Sequence, residues 1–432
     1  MKRSARFASV VGLFLISGGV IWRIAEAAPA PVVKASPDTQ TQAILAAAQA
    51  FLSSLGADQR AKVQFSFTPG QFATSANFGR PGGMGGPPGG GPRGDGPRGG
   101  PGGGPGGPGG GPGGMRGGPP GGAPGGRGPE GKPPGDGPGK GTFAGLVGEK
   151  YGDAMWSNFP VGDVPRPGLQ LGDLTVPQRA AAMRLLQTLL SAQGYQKMLE
   201  IMGSDQALAD SGTNFAAGED VYTIGLFGTP SAGAPWMLQF GGHHLALNIV
   251  IAGKRGVLTP VLTGAQPAVY TANGKSVRVL ARENDKAFAL LDTLDDSQRR
   301  QAILTYRVTD LVLGPGHDGE MVVPEGLKAS AMSAPQKAML LDVISEWAGI
   351  VNDAYAAPRM EEIKAGLDDT YFAWSGPTIH EPGRNGAAYY RIQGPKLVIE
   401  FAPQGVGGDL TLHVHTIYRD PTNDYGRALP VE

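Results

Sequence analysis

A tract of glycine and proline, residues 81–141, interrupts this chain and most constrains how it can fold. Glycine does not recur at every third position, which excludes a collagen triple helix. The tract has almost no apolar side chains, so burial cannot offset the entropy lost on ordering, and we predict a disordered insertion. Its mildly basic charge suggests weak contact with an anionic envelope polymer. The alternative is a surface-loop insertion without function, which costs little stability.

Of the 72 glycines and 38 prolines, 33 glycines and 16 prolines are concentrated in this tract, so the rest of the chain is predicted to be globular. The strand-like sequence VQFSF precedes the tract, and globular sequence resumes after it. We therefore predict one domain, formed by residues 40–80 and 142–426, that the tract interrupts. Residues 427–432 are predicted to be a tail.

Overall charge and cysteine content exclude several classes of protein. The formal net charge is +0, which gives no support for a general nucleic-acid binder because such proteins need a basic surface. The absence of cysteine excludes disulfides, thiolate metal sites and cysteine nucleophiles. Any metal must therefore be held by histidine, carboxylate or other oxygen ligands.

The amino terminus has the layout of a secretory signal peptide. Three basic residues come first, an apolar run covers residues 7–22, and AEA at 25–27 offers a cleavage position. The apolar run is short for a membrane span, although an uncleaved N-terminal anchor is an alternative to a signal peptide over residues 1–27. We predict export to the periplasm or the outside, with no membrane span in the mature chain.

The hydrophobic period changes along the chain and predicts the fold class. Residues 40–56 and 176–202 have helical spacing, the latter as one helix or as two joined near Gly194. Strand-like alternation follows, then further helices, and finally a hairpin within 387–403 and one more strand. This order predicts an α+β fold with a mostly antiparallel sheet and flanking helices.

The histidines are few and paired. His413 and His415 lie two residues apart in a strand pattern, so they project from the same face and can converge on one ion. On a regular strand His243 and His244 point to opposite faces, so this pair supplies one ligand, with His244 favoured, unless a bulge at the preceding glycines re-aims a side chain. Histidines that are partly exposed on a sheet, or bonded to nearby acids, are the alternative.

Glu400 is the single acidic residue within a strong strand pattern. It is predicted to be a fourth ligand or a general base that takes a proton from metal-bound water. Zn²⁺ is the default divalent ion for three histidines with or without a carboxylate. Cu and Fe remain alternatives, because affinity alone does not decide between them.

Charged residues near the end of the chain could complete a site. Arg419 and Arg391 are candidates for binding an acidic group of a small-molecule substrate. Asp420 or Asp424 could orient a ligating imidazole. The alternatives are a capped turn in YRDPTNDYG and ion pairs inside the sheet.

Five segments of the chain resemble sequences of the bacterial and fungal family catalogued as domain of unknown function 3500. They are MWSNFP, QFGGHHLALN, YFAWSGP, YYRIQGPKLVIEF and HVHTIYRDPTNDYG. The resemblance runs from the helix near Gln42 to Gly426 and leaves out the glycine and proline tract. It implies one domain across the tract, with both histidine pairs inside it. It carries over no catalytic residue.

Two functional hypotheses follow from these residues. The first is an exported metal-dependent hydrolase in which a histidine-held ion activates water. The second is an exported protein that binds a metal or small ligand without turnover. Signatures of other enzyme classes, such as G-x-S-x-G, a Walker A loop and H-E-x-x-H, are missing from the sequence.

Overall fold

A computed structural model describes residues 37–78, 146–213 and 218–429. The predicted signal peptide and the predicted disordered tract lie outside these residues. The described residues contain eight α-helices: α1 (Pro37–Ser54), α2 (Ala57–Val63), α3 (Val176–Leu189), α4 (Ala192–Asp210), α5 (Ala281–Asp292), α6 (Asp296–Ala302), α7 (Ala334–Ala348) and α8 (Asp353–Ala365). None of these helices is both long and apolar enough to span a membrane.

Sixteen strands lie in the same ranges. They are β1 (Gln64–Phe65), β2 (Thr74–Phe78), β3 (Leu146–Tyr151), β4 (Ala154–Trp156), β5 (Leu169–Gln170), β6 (Thr223–Phe227), β7 (Trp236–Gly241), β8 (Leu245–Ala252), β9 (Arg255–Ala265), β10 (Val269–Ala272), β11 (Lys275–Arg278), β12 (Leu327–Lys328), β13 (Tyr371–Ser375), β14 (Tyr389–Gly394), β15 (Leu397–Pro403) and β16 (Val414–Arg419).

Eleven of these strands form one sheet in the order β1-β6-β7-β8-β9-β16-β15-β14-β13-β12, with β5 also paired to β6. All neighbours are antiparallel except β1 and β6. The predicted α+β class with a mostly antiparallel sheet and flanking helices is confirmed. The predicted strand VQFSF is mostly wrong, because Val63 ends α2 and only Gln64 and Phe65 pair with β6.

The helices cover one face of the sheet. Strand residues such as Ile249, Val261 and Tyr418 share a core with helix residues on this face. Residues of β3 and β4 pack on separate apolar clusters that include Met237 and Leu262 of the sheet. β2 and β3, which flank residues 79–145, pair with each other in a small separate sheet.

Residues 176–202, predicted as one helix or as two joined near Gly194, belong to two helices. The break falls at Leu190 and Ser191, a few residues before the predicted position at Gly194. Ser191 starts the second helix because its side chain accepts a hydrogen bond from the Gly194 backbone, at 2.9 Å. Gly194 itself lies against the backbone of Ile350, where a Cβ would come within 2.1 Å of the carbonyl oxygen.

The large sheet consists of two similar halves. In each half a helix pair precedes a short edge strand, a second helix pair and four antiparallel strands, β6–β9 in the first half and β13–β16 in the second. The last strands of the halves, β9 and β16, pair at the centre. There the hydroxyls of Thr263 and Thr416 lie 2.6 Å apart.

Side-chain contacts repeat between the halves. Gln59 and Gln178 exchange hydrogen bonds through their side-chain amides in the first half, and Gln298 and Gln336 do the same in the second. Gln178 and Gln336 each occupy the third position of a capped helix that also has a proline in its first turn. The two halves therefore repeat one arrangement of helices and strands, and the first half carries the three-stranded sheet β2–β4 in addition.

Candidate metal centre

Three imidazoles from both halves of the sheet meet at one point. His244 comes from the turn between β7 and β8, His413 directly precedes β16, and His415 lies within β16. Nε2 of His413 is 3.1 Å from Nε2 of His415 and 3.4 Å from Nε2 of His244. All three side chains are buried, and their nitrogens are placed to hold a metal ion.

The turn that carries His244 differs from the predicted strand. His243 and His244 are the two central residues of a hairpin turn, closed by a 2.9 Å hydrogen bond from the Gly242 amide to the Leu245 carbonyl. The expectation that the two rings point to opposite faces was therefore wrong, since they stack with centroids 3.8 Å apart. Gly242 fits because a Cβ there would come within 2.8 Å of the Tyr222 ring.

Hydrogen bonds at Nδ1 fix the protonation of two of the rings. His244 Nδ1 lies 2.6 Å from Asp205 Oδ1, and His413 Nδ1 lies 3.2 Å from the Val406 carbonyl. A carboxylate and a carbonyl only accept, so each Nδ1 must carry a proton, and in the neutral form of each ring Nε2 carries a lone pair. In these neutral forms the lone pairs of His244 and His413 point towards each other across 3.4 Å.

The third ring is in contact with a different partner. Asn158 Nδ2 lies 3.4 Å from Nδ1 of His415, so in this arrangement the amide donates and His415 carries its proton on Nε2, facing His413. Binding of an ion would require this proton to leave Nε2. Rotation of the Asn158 amide by half a turn would then present its oxygen to a protonated Nδ1.

Burial favours the neutral form of His413, His415 and His243. Desolvation, followed by the nearby His244, lowers the pKa of His413 to about 3. Desolvation and the other two rings hold the pKa of His415 well below its usual range, and the pKa of His243 is lowered well below its usual range chiefly by burial. Neutral imidazoles are the form that binds metal.

Gly264 of β9 makes room for the cluster. It pairs with His415, and a Cβ at this position would come within 3.2 Å of carbon atoms in the rings of both His244 and His415. The rings can approach each other here only because the neighbouring strand has no side chain.

Sequence reasoning missed Asp205 and Asn158. Asp205 is a buried acid in α4, on the helix face that also buries Met198, Ile201 and Met202. An acid within an apolar helical stripe is the signal that could have identified it, because burial of a carboxylate needs a partner. His243 also lies near it, with Nδ1 3.9 Å from Asp205 Oδ1.

Replacing Asp205 with Asn is expected to weaken metal binding by about 10- to 100-fold, the usual effect of removing a group that orients a ligating histidine. The amide can still accept from His244, so the loss reports mainly the missing negative charge. Competition with a coloured chelator measures the affinity. Asp210→Asn, at an exposed position of the same helix, is the matched control and should bind like the wild type. Equal affinities of the two variants would contradict the assigned role.

Glu400 is fully buried, and its carboxylate forms hydrogen bonds with groups outside the histidine cluster. Its oxygens accept hydrogen bonds from the backbone amides of Val312 and Leu313, at 2.9 and 2.7 Å, and from the Tyr389 hydroxyl at 2.5 Å. These contacts anchor a loop over the sheet, and none of them involves a histidine. The predicted role as a ligand or general base is therefore replaced by a structural one, because both oxygens already have donors.

The two arginines predicted to bind substrate also form ion pairs within the protein. Arg419 lies fully buried between Glu149 and Asp424. Arg391 is paired with Glu325 at 2.9 Å. Neither guanidinium contacts the histidines, so we correct their role to that of internal ion-pair partners.

The two predicted orienting acids likewise serve other groups. Asp420 pairs with Arg359 at 2.9 Å and accepts from Thr422. Asp424 binds Arg419 and accepts from the Asp420 amide. The carboxylate that contacts a clustered histidine is Asp205, which comes from the other half of the fold.

Stability should fall with rising pH through Asp424. Burial raises its pKa from 3.8 to about 7, against the lowering effect of Arg419 and with a further rise from Glu149. Between these values the folded protein binds a proton that the unfolded chain has lost, so the free energy of unfolding decreases by up to about 1.4 kcal/mol per pH unit. Urea unfolding at pH 5 and pH 8 should show a smaller decrease for Asp424→Asn than for the wild type. The same decrease in both proteins would contradict this assignment.

Comparison with known proteins gives one match. A family model described as "Protein of unknown function (DUF3500)" matches residues 148–427, which include every residue of the histidine cluster and its partners. No curated protein and no solved structure matches the chain.

Proposed function

We propose that this chain, which belongs to the DUF3500 family of proteins of unknown function, binds a transition-metal ion through His244, His413 and His415. One observation carries the proposal: Nε2 of His244 and Nε2 of His413 face each other at 3.4 Å, with Nδ1 of each ring bonded to an acceptor, Asp205 or Val406. In the neutral rings these Nε2 atoms carry lone pairs, and two facing lone pairs repel unless a cation lies between them. Burial lowers the pKa of His413 to about 3, which keeps this ring in the unprotonated form that binds metal.

The distances suit the proposed ion. Zn²⁺–N bonds of about 2.0–2.1 Å in a tetrahedral site place the nitrogens roughly 3.3 Å apart. The separations of 3.1 and 3.4 Å already match this value. Zn²⁺ is therefore the first expectation, with Cu or Fe as alternatives on the same donors. The Asp205 carboxylate would add a negative charge that strengthens His244 as a ligand.

Two activities are compatible with such an ion. Three protein ligands leave one coordination position open, which is typical of catalytic rather than structural zinc sites and favours a hydrolase. The burial of the three rings, and the commitment of Glu400 elsewhere, favour a protein that binds metal without turnover. If water is activated, the nearest additional imidazole is His243, stacked on His244.

Metal content tests the proposal directly. Purified protein, exposed to Zn²⁺ and then freed of excess, should contain close to one ion per chain by elemental analysis. The double variant His413→Ala/His415→Ala should contain almost none. The variant His317→Ala/His380→Ala is the matched control, because it removes two histidines outside the cluster and should keep the ion. Absence of metal from the wild type would reject the proposal.

Activity then separates the two alternatives. The metal-loaded protein and the His413→Ala/His415→Ala variant would be compared on esters, amides and phosphates. Turnover that disappears in the variant supports a hydrolase, whereas metal binding without turnover supports a binding protein.

We also propose that the protein is exported. The support is the signal-peptide pattern of residues 1–27. Cell fractionation of the full chain, compared with a chain that lacks residues 1–27, would test this location.

A further inference from the structure

A second candidate site lies at the other end of the sheet. A cleft of about 510 Å³ opens between the β8–β9 turn, α8 and the end of β16. Its lining includes Arg255, Thr259, Tyr355, Arg359, Lys396 and Asp420. β8 separates it from His244 by eight residues, or about 26 Å of extended chain. None of the histidines lines this cleft.

The repeated arrangement of the two halves relates this cleft to the histidine cluster. Lys396 is the second central residue of the β14–β15 turn, as His244 is in the β7–β8 turn. Lys396 Nζ lies 2.6 Å from Glu362 Oε1 of α8, and His244 Nδ1 lies 2.6 Å from Asp205 Oδ1 of α4. Each half thus places a basic side chain of a hairpin turn against an acid of its second long helix.

The charges around the cleft favour an anion. Four cationic side chains line it, from Lys254, Arg255, Arg359 and Lys396, against the carboxylates of Glu362 and Asp420. Arg359 and Lys396 are paired with these acids, and Lys254 is paired with Asp38 at 2.8 Å. The exposed Arg255 has no hydrogen bond or ion pair from its side chain to any described residue.

A buried donor supports the same interpretation. Thr259 is 2 % exposed, and its hydroxyl has no hydrogen-bond partner within the described parts of the chain. An unpaired buried hydroxyl destabilises a fold, so such a group at the wall of a cleft suggests a ligand that pairs with it. Leu258, Tyr355 and Pro358 add apolar surface beside these polar groups.

We propose that this cleft binds a small organic molecule with an acidic group, a carboxylate or a phosphate, held by Arg255 and Thr259 with its apolar part against Tyr355. The volume lies within the roughly 300–1,000 Å³ of small-molecule sites. Arginine suits both acidic groups because its guanidinium can donate two parallel hydrogen bonds. The site is independent of the metal centre.

Calorimetric titration of the full-length protein at low ionic strength tests the proposal. Phenyl phosphate and benzoate are the probes, and benzamide is the neutral control. We expect saturable binding of at least one acid and none of benzamide. Phosphate-only or carboxylate-only binding identifies the acidic group. No binding of either acid, or equal binding of benzamide, would overturn the proposal.

Variants distinguish specific binding of the acid in the cleft from non-specific electrostatic attraction. Arg255→Gln should weaken binding of the acid at least 10-fold, whereas Lys275→Gln, at an exposed position outside the cleft, should not change it. Thr259→Val should also weaken binding without lowering the melting temperature, since the hydroxyl has no partner to lose. Metal content should stay unchanged in all three variants, which keeps this test distinct from that of the metal centre. Unchanged affinity in Arg255→Gln would overturn the assignment.

Discussion

Replacing Arg419 with Met is expected to lower the free energy of unfolding by about 3–5 kcal/mol, the usual cost of removing one partner from a buried ion pair. Arg419 is fully buried and donates to Glu149 and Asp424, and its guanidinium also lies over the Trp156 ring at 5.5 Å. Met has a similar apolar length but no charge, so above the pKa of Asp424 it leaves two carboxylates facing each other without a cation. Urea unfolding followed by fluorescence measures the loss.

A control and a rescue variant make this test specific. Arg384→Met removes a partly exposed pair with Asp409, and exposed pairs contribute only about 0–1 kcal/mol. Adding Glu149→Gln and Asp424→Asn to Arg419→Met removes the stranded charges and should recover part of the stability. A loss no larger than that of Arg384→Met would show that the buried cluster does not contribute as its burial and contacts imply.

Metal binding is expected to raise the stability of the wild-type protein strongly. An ion that binds only the folded state adds about 2.7 kcal/mol at 100 times its Kd and about 4.1 kcal/mol at 1,000 times. We therefore expect a clear rise in melting temperature when Zn²⁺ is added to chelator-treated protein. The three ligands come from both halves of the sheet, so unfolding of either half would destroy the site.

Single-ligand variants should lose this effect. His244→Ala is expected to reduce the affinity by more than the 100-fold that loss of an orienting carboxylate can cost, because one of three direct ligands is gone. His380→Ala, near the surface and away from the cluster, should keep the full metal-dependent rise. A rise of equal size in His244→Ala would contradict binding at this cluster.

The sequence predicted the parts of the fold that depend on local pattern. Along the chain, apolar residues recur first at every third or fourth position and then at every second position, which predicts the α+β class. The two-residue spacing of His413 and His415 predicts that their rings lie on one side of a strand. Helix ends were predicted less well. Ser191, rather than Gly194, starts α4 because its side chain caps the helix.

The features of the site that could not be predicted from the sequence depend on contacts between distant segments. Asp205 reaches His244 from a helix that precedes it by 39 residues, and Asn158 reaches His415 across 257 residues. The local spacing of apolar and polar residues does not indicate such contacts. Glu400 was correctly placed inside a strand, but its donors come from a loop that pattern analysis could not position.

The likeness of the two halves could not be predicted from the sequence either. The first half carries the additional strands β2–β4, and the halves agree in contacts between distant segments, such as the amide pairs of Gln59 with Gln178 and of Gln298 with Gln336.

The division of the cluster between the two halves sets the order of events during biosynthesis. His244 is made well before His413, which follows it by 169 residues, and before His415. The proposed ion could meet all three ligands only after β16 has been made and has docked beside β9. Binding of the proposed ion would then be restricted to chains that include β16. A chain that lacks β16 keeps His243 and His244 but has lost the other ligands of the cluster.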